Sequence, residues 1–214
     1  MTRRVRMATL VATVAALAGC GEIGAPTRSD IYEWRIISTP DTLAFHWPRE
    51  ALPVRIWVQD IYDLPMHTQN AIDGWKSGFL YREWDAVLVS DSLDADVLVL
   101  SKFPNGPTIL LGTVQECEGY TDLALDTDTK VLTLPIRIYA VPRYDPDLEA
   151  TKACFGIVMY HEIGHALGIF RHSPDPADIM YFNPTTATPT QRDFQTAEVL
   201  YHARTTVTAT HADD

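Results

Sequence analysis

The chain has 214 residues, 46% of them hydrophobic and 21% charged, with 17 basic against 28 acidic residues for a formal charge of −11. Such a composition belongs to a folded globular protein and excludes a disordered or fibrous one. The acidic balance argues against nucleic-acid binding, because a phosphate backbone is met by a basic patch.

Arg3, Arg4 and Arg6 precede an apolar run from Met7 to Leu17, which is too short to span a membrane as a stable helix. This reads as a secretory signal. Leu17-Ala18-Gly19-Cys20 is similar to the bacterial lipobox, in which the cysteine is lipidated and becomes the first mature residue. The expectation is a signal peptide over residues 1–19 and a protein exported across the inner membrane. A lipid on Cys20 would anchor it, facing the periplasm or the cell surface. Removing the three arginines takes the charge to −14. Cys117 and Cys154 then remain in an oxidising compartment, where a disulfide between them is expected.

Residues 20–50 carry Pro26, Pro40 and Pro48 and no sustained period, so they read as a tether and lead-in to a domain over residues 51–202. Leu52 to Gln59 alternates apolar and polar residues as a strand does. Met66 to Tyr81 places Ala71, Ile72, Trp75, Phe79 and Leu80 at helical steps. Ala86–Ser90 and Ala95–Ser101 read as further strands, the second apolar enough to be buried on both faces. This order favours a mixed, mostly parallel α/β sheet. After a turn cluster at Lys102–Pro107, Thr108–Gln115 reads as a strand, Glu116–Thr121 as a polar stretch, and Val131–Tyr139 as a strand. Within that last strand Pro135, which has no N–H to donate, marks an edge or a bulge. Asp126 and Asp128 lack the glycine and downstream Glu of a calcium loop and read as a solvated turn. A helix from about Asp147 to Leu167 carries Phe155, Val158 and Met159 as core contacts. Thr190–His202 reads as a final helix with Phe194, Ala197, Leu200 and Tyr201 on one face, and residues 203–214 as a polar tail. His46, His67, His202 and His211 read as surface or helix-end residues.

The chemistry is concentrated in His161-Glu162-Ile163-Gly164-His165-Ala166-Leu167-Gly168-Ile169-Phe170-Arg171-His172. On a helix, four steps of about 100° bring His161 and His165 back to one face, about 40° apart. Two rings so placed suit two ligands of a tetrahedral Zn²⁺. Glu162, about 100° round the axis from His161, is placed to act as a general base without being a ligand. Gly168 suits a helix end in a positive-φ conformation, from which the chain turns back to bring His172 as third ligand. Asp175 and Asp178 offer carboxylates for the same role.

These motifs, with His172-Ser173, Asp178-Ile179-Met180-Tyr181 and a final helix bearing Asp193 near its start, resemble the metzincin metalloproteases, and within them the matrixin-like bacterial proteins. The resemblance implies a twisted mixed sheet, an active-site helix, and a small C-terminal part with a Met-turn and one helix. It implies one catalytic Zn²⁺ on His161, His165 and His172, Glu162 as general base, and Met180 as the Met-turn methionine. The third histidine comes one residue later than the family's usual spacing, which would put it at Arg171. A monomeric endopeptidase is implied, its protein or peptide substrate extended along an edge strand, expected at Thr108–Gln115, with a pocket walled by residues after Met180. Lys102–Tyr120 has no histidine for a second, structural zinc. Two other readings stay open: a gluzincin-type peptidase with Glu198 as third ligand, and a lipid-anchored binding module without turnover.

Overall fold

The computed structural model describes residues 30–38, 41–102, 117–143, 145 and 147–211. The expected signal peptide, Cys20 and the expected strand at Thr108–Gln115 lie outside the described residues. The architecture is mixed α/β, as expected. Its main sheet contains β3 (Val54–Val58), β4 (Ala86–Val89), β5 (Val97–Leu100), β6 (Cys117–Asp122) and β9 (Ile136–Pro142), in the order β4-β3-β5-β9-β6. The first four in that order run parallel, and β6 pairs antiparallel with β9. Among the described residues, β6 is therefore an edge strand.

Two helices pack on this sheet and on each other. The first, α1 (Leu64–Ser77), turns Leu64, Ala71, Ile72 and Trp75 into the core, the stripe its periodicity calls for. The second, α2 (Glu149–Leu167), is buried on nearly every side in its last two turns, from His161 to Leu167. A helix apolar all round must be surrounded, and α2 is: β6 and β9 lie on one side and α1 on another. The Cys117–Cys154 disulfide ties β6 to α2, with Cα atoms 5.9 Å apart.

Five expectations are corrected. Pro135 is neither at an edge nor at a bulge: Val131–Tyr139 breaks there into β8 (Val131–Leu134), which pairs with β7 (Leu125–Asp126) in another sheet, and β9 in the main one. The missing N–H separates two ladders. Residues 203–214 are not simply a tail, because β10 (Thr208–His211) pairs parallel with β8 and Val207 is buried. Its β-branched threonines fit a pleated surface although their polarity hides them from a hydrophobic pattern. The lead-in is part of the fold: β1 (Ile36–Ser38) pairs with β2 (Asp41–Leu43), and Tyr32, Trp34, Leu43, Phe45 and Trp47 are buried. Glu116–Thr121 overlaps β6 rather than being merely polar. Gly119 and Thr121 alternate with Glu118 and Tyr120 there, so no apolar pattern marks the strand. His67 likewise departs from its surface reading, being buried on α1 with its ring 6.3 Å from Phe155.

α2 is held at its end by side chains from distant segments. The Trp47 indole donates to Ala166 O at 2.9 Å and the Tyr201 hydroxyl to Leu167 O at 3.0 Å. Both carbonyls lie in the last turn, where a helix has no backbone partners of its own. The Trp75 indole donates to Tyr160 O at 2.8 Å, one residue before the first histidine of the motif.

Candidate metal centre

α2 ends at Leu167 because Gly168 adopts φ +125°. The Gly168 N–H bonds to His165 O at 3.1 Å and the Ile169 N–H reaches back to Gly164 O at 3.1 Å, the paired bonds of a Schellman cap. A Cβ on Gly168 would run into the carbonyl oxygen of Phe45, so the position requires glycine on two counts. Beyond the cap the Phe170 N–H donates to Trp34 O, and its ring stacks on Phe45. Arg171 is exposed. The extra residue in the turn is thus taken up by docking Phe170 inward and Arg171 outward, and His172 returns toward the helix.

The ligand atoms of His161, His165 and His172 lie within 4.8 Å of one another. His161 and His165 are buried and His172 is exposed. His161 Nδ1 is 2.7 Å from Ile179 O, and His165 Nδ1 is 2.6 Å from Ile169 O. A carbonyl can only accept, so each Nδ1 carries the proton and donates it, and each Nε2 presents a lone pair. Those two Nε2 atoms are 3.1 Å apart. Two nitrogens about 2.05 Å from one tetrahedral ion stand about 3.3 Å apart, so the pair has the spacing of shared ligands. Two lone pairs facing each other repel, and a cation between them turns that repulsion into coordination. Burial lowers the basicity of two rings, His161 to about 4 and His165 well below the usual histidine range, and partial desolvation at the cleft lowers that of His172. Neutral imidazole is the ligating form. The chemistry of the donor set therefore fits a divalent metal of borderline softness.

The turn that supplies Ile179 O is itself anchored. Asp193, fully buried at the start of α3 (Gln191–His202), accepts from the Ile179 N–H at 3.0 Å, the Thr190 N–H at 2.8 Å and the Tyr32 hydroxyl at 2.8 Å. It also closes a capping box with Thr190. One carboxylate thus fastens the final helix, the lead-in and the turn beneath the histidines. Met180 is fully buried in that turn against Gly164, where a Cβ would collide with its sulfur. Asp178 is bound by Ser173, Thr190 and Arg192, and Asp175 by Arg192. Both carboxylates are occupied away from the triad, and the group brought together is the three histidines without Glu198.

Glu162 is 4% exposed and lines the same cleft as the histidines, a cavity of about 980 Å³ bordered also by Gly119, Thr121, Val158 and Phe182. Burial pushes its carboxyl up to about 7, against the opposing hydrogen bond from Thr121. A carboxylate poised near neutrality is suited to taking and returning a proton. Thr121 and Gly119, on the face of β6 turned to α2, have no signature of their own in the sequence. Nor has Phe182, which is largely exposed with its ring edge-on to His172 at 5.4 Å.

No family model matches the chain, and no curated protein does. Among solved structures it is similar to high choriolytic enzyme 1, a hatching-enzyme zinc-protease of the medaka fish Oryzias latipes. The identity is 14% and the TM-score 0.40, over 76% of this chain and 95% of that one.

Proposed function

We propose that this protein is a zinc-dependent endopeptidase, a matrixin-like lipoprotein that hydrolyses peptide bonds in extended protein segments. The observation that carries the reading is the pair of Nε2 lone pairs of His161 and His165, 3.1 Å apart, with His172 beside them and a buried carboxylate next in sequence to the first. His161, His165 and His172 would hold the Zn²⁺, which when bound would supply an activated water and polarise the scissile carbonyl. Glu162 takes the proton of the attacking water and delivers it to the departing amine. A purely structural metal site has no use for that carboxylate.

Among the described residues β6 is an edge strand, and there an extended substrate would join as an added strand, with backbone hydrogen bonds supplying register. The cleft beneath it runs from the Cys117–Cys154 disulfide to Phe182, Asn183 and Pro184, which follow Met180 and wall its far side. Lipidation at Cys20 would place the monomer on a membrane facing the periplasm or cell surface, where unfolded or extended segments are accessible. The test is cleavage of unfolded casein by the full chain, with and without a chelator, alongside Glu162→Ala. Zinc-dependent cleavage by the wild type and none by the variant, at equal zinc content, is the expected result. Zinc binding without cleavage by either protein would overturn the reading in favour of a non-catalytic module.

A further inference from the structure

The carboxylate of Glu162 lies in a seat made by two residues of the edge strand. The Thr121 hydroxyl donates to Glu162 Oε2 at 2.6 Å, with Glu162 O a weaker second acceptor at 3.3 Å. Two residues earlier on the same face of β6, Gly119 faces Oε1, and a Cβ there would overlap that oxygen and come within 2.6 Å of Val158 Cγ1. Glu162 is thus held on one oxygen by a donor and accommodated on the other by a missing side chain. All three residues line the cleft.

From this geometry we infer that Thr121 is a positioning residue for the hydrolysis, fixing the rotamer of Glu162 through a charge-assisted hydrogen bond, and that Gly119 is the vacancy that lets the carboxylate lie against the strand. Glu162 has three side-chain torsions and, among the described residues, this bond is the side-chain hydrogen bond that orients its head group. A general base works only within hydrogen-bond reach of the proton it removes, and a displacement of about 1 Å can cost on the order of a hundredfold in rate. Thr121 takes no proton and touches no reacting atom. It acts through the orientation of Glu162, and because β6 is also the proposed substrate edge, base and substrate are registered by one strand.

The inference rests on the endopeptidase reading, and the experiment separates the two. The full chain, loaded with zinc, is assayed on fluorescent casein as wild type, Thr121→Val, Thr121→Ser and Glu162→Gln, and zinc affinity is measured for each. Thr121→Val is expected to lower kcat ten- to a hundredfold while KM and the zinc dissociation constant stay within about twofold. Thr121→Ser, which keeps the hydroxyl, should recover most of the rate. On the Glu162→Gln background the valine should add no further loss. Thr121→Ala is the second variant, carrying the same expectation should valine disturb the strand. An active wild type with Thr121→Val and Thr121→Ala both at full kcat overturns this inference alone. So does a loss that serine does not rescue, or one that zinc loss accounts for. A wild type without activity overturns the endopeptidase reading and this inference with it.

Discussion

Gly168→Ala tests whether the helix end places the third histidine. At φ +125° the residue lies beyond even the left-handed well, centred near +57°, so an alanine there carries a backbone cost on the order of 1–3 kcal/mol. Its Cβ would also strike the Phe45 carbonyl, whose carbon stands 3.2 Å from the ideal Cβ position. Phe45 cannot retreat easily, because Ala44 O accepts from Thr206 and Val207 on one side and Trp47 is bonded to Ala166 O on the other. Overpacking of this kind adds a further 1–3 kcal/mol or so, for a total of about 4 kcal/mol out of a stability on the order of 10 kcal/mol. Urea unfolding of the zinc-free protein measures it, and zinc affinity should fall in parallel as the turn to His172 is displaced. Gly156→Ala is the matched control in the interior of the same helix, where an added Cβ meets only the His67 ring, Nδ1 at 3.6 Å and Cε1 at 4.0 Å, both ordinary contacts. That variant should gain roughly 0.5–1 kcal/mol from helix propensity. A Gly168→Ala protein within about 0.5 kcal/mol of wild type, with unchanged zinc affinity, would refute the reasoning.

In zinc-free protein Glu162 favours its protonated form, with a folded-state value of about 7 against 4.5 ordinarily, so its contribution to stability is present below pH 4.5 and is lost as pH rises through 7. Glu162→Gln should therefore be more stable than wild type by on the order of 3 kcal/mol at pH 8 and about equal to it at pH 4, by denaturant unfolding at both pH values. Reducing Cys117–Cys154, which closes a loop with a sequence separation of 37, should cost about 4 kcal/mol on the chain-entropy account, read as the shift in urea midpoint with and without reductant. Asp193→Ala leaves the buried N–H of Ile179 and the half-buried N–H of Thr190 without their acceptor and should cost about 3 kcal/mol. Because Ile179 O orients His161, calorimetry should also find zinc affinity at least tenfold weaker in that variant.

The histidine motif was legible because its chemistry and its helical spacing coincide within twelve residues, and Gly168 announced the turn that follows. The one-residue displacement of His172 was visible too. What absorbs it was not, since Trp34 and Phe45, against which Phe170 docks, are more than a hundred residues away. The helices at 64–77 and 191–202 were legible from their apolar stripes, and Ala86 to Val89 and Val97 to Leu100 from their apolar runs. β6 was not, because a strand that faces a buried carboxylate carries glycine and threonine where a core strand carries valine. The same holds for Tyr32 and Trp34 in the lead-in and for Thr208–His211. Each forms its structure through pairing or hydrogen bonds to distant residues, and no local periodicity records that. Asp193 stood out only as an acid near a helix start, while its bonds to the turn below the histidines belong to the tertiary structure.

The proposed site holds one zinc ion on His161, His165 and His172, the first two through their Nε2 atoms. X-ray absorption on the zinc-loaded full chain tests it most directly. One equivalent of zinc with three imidazole nitrogens at about 2.0–2.1 Å, falling to two in His172→Ala, is the result this account requires. A site without imidazole scattering, or one whose coordination is the same in His172→Ala, would contradict it.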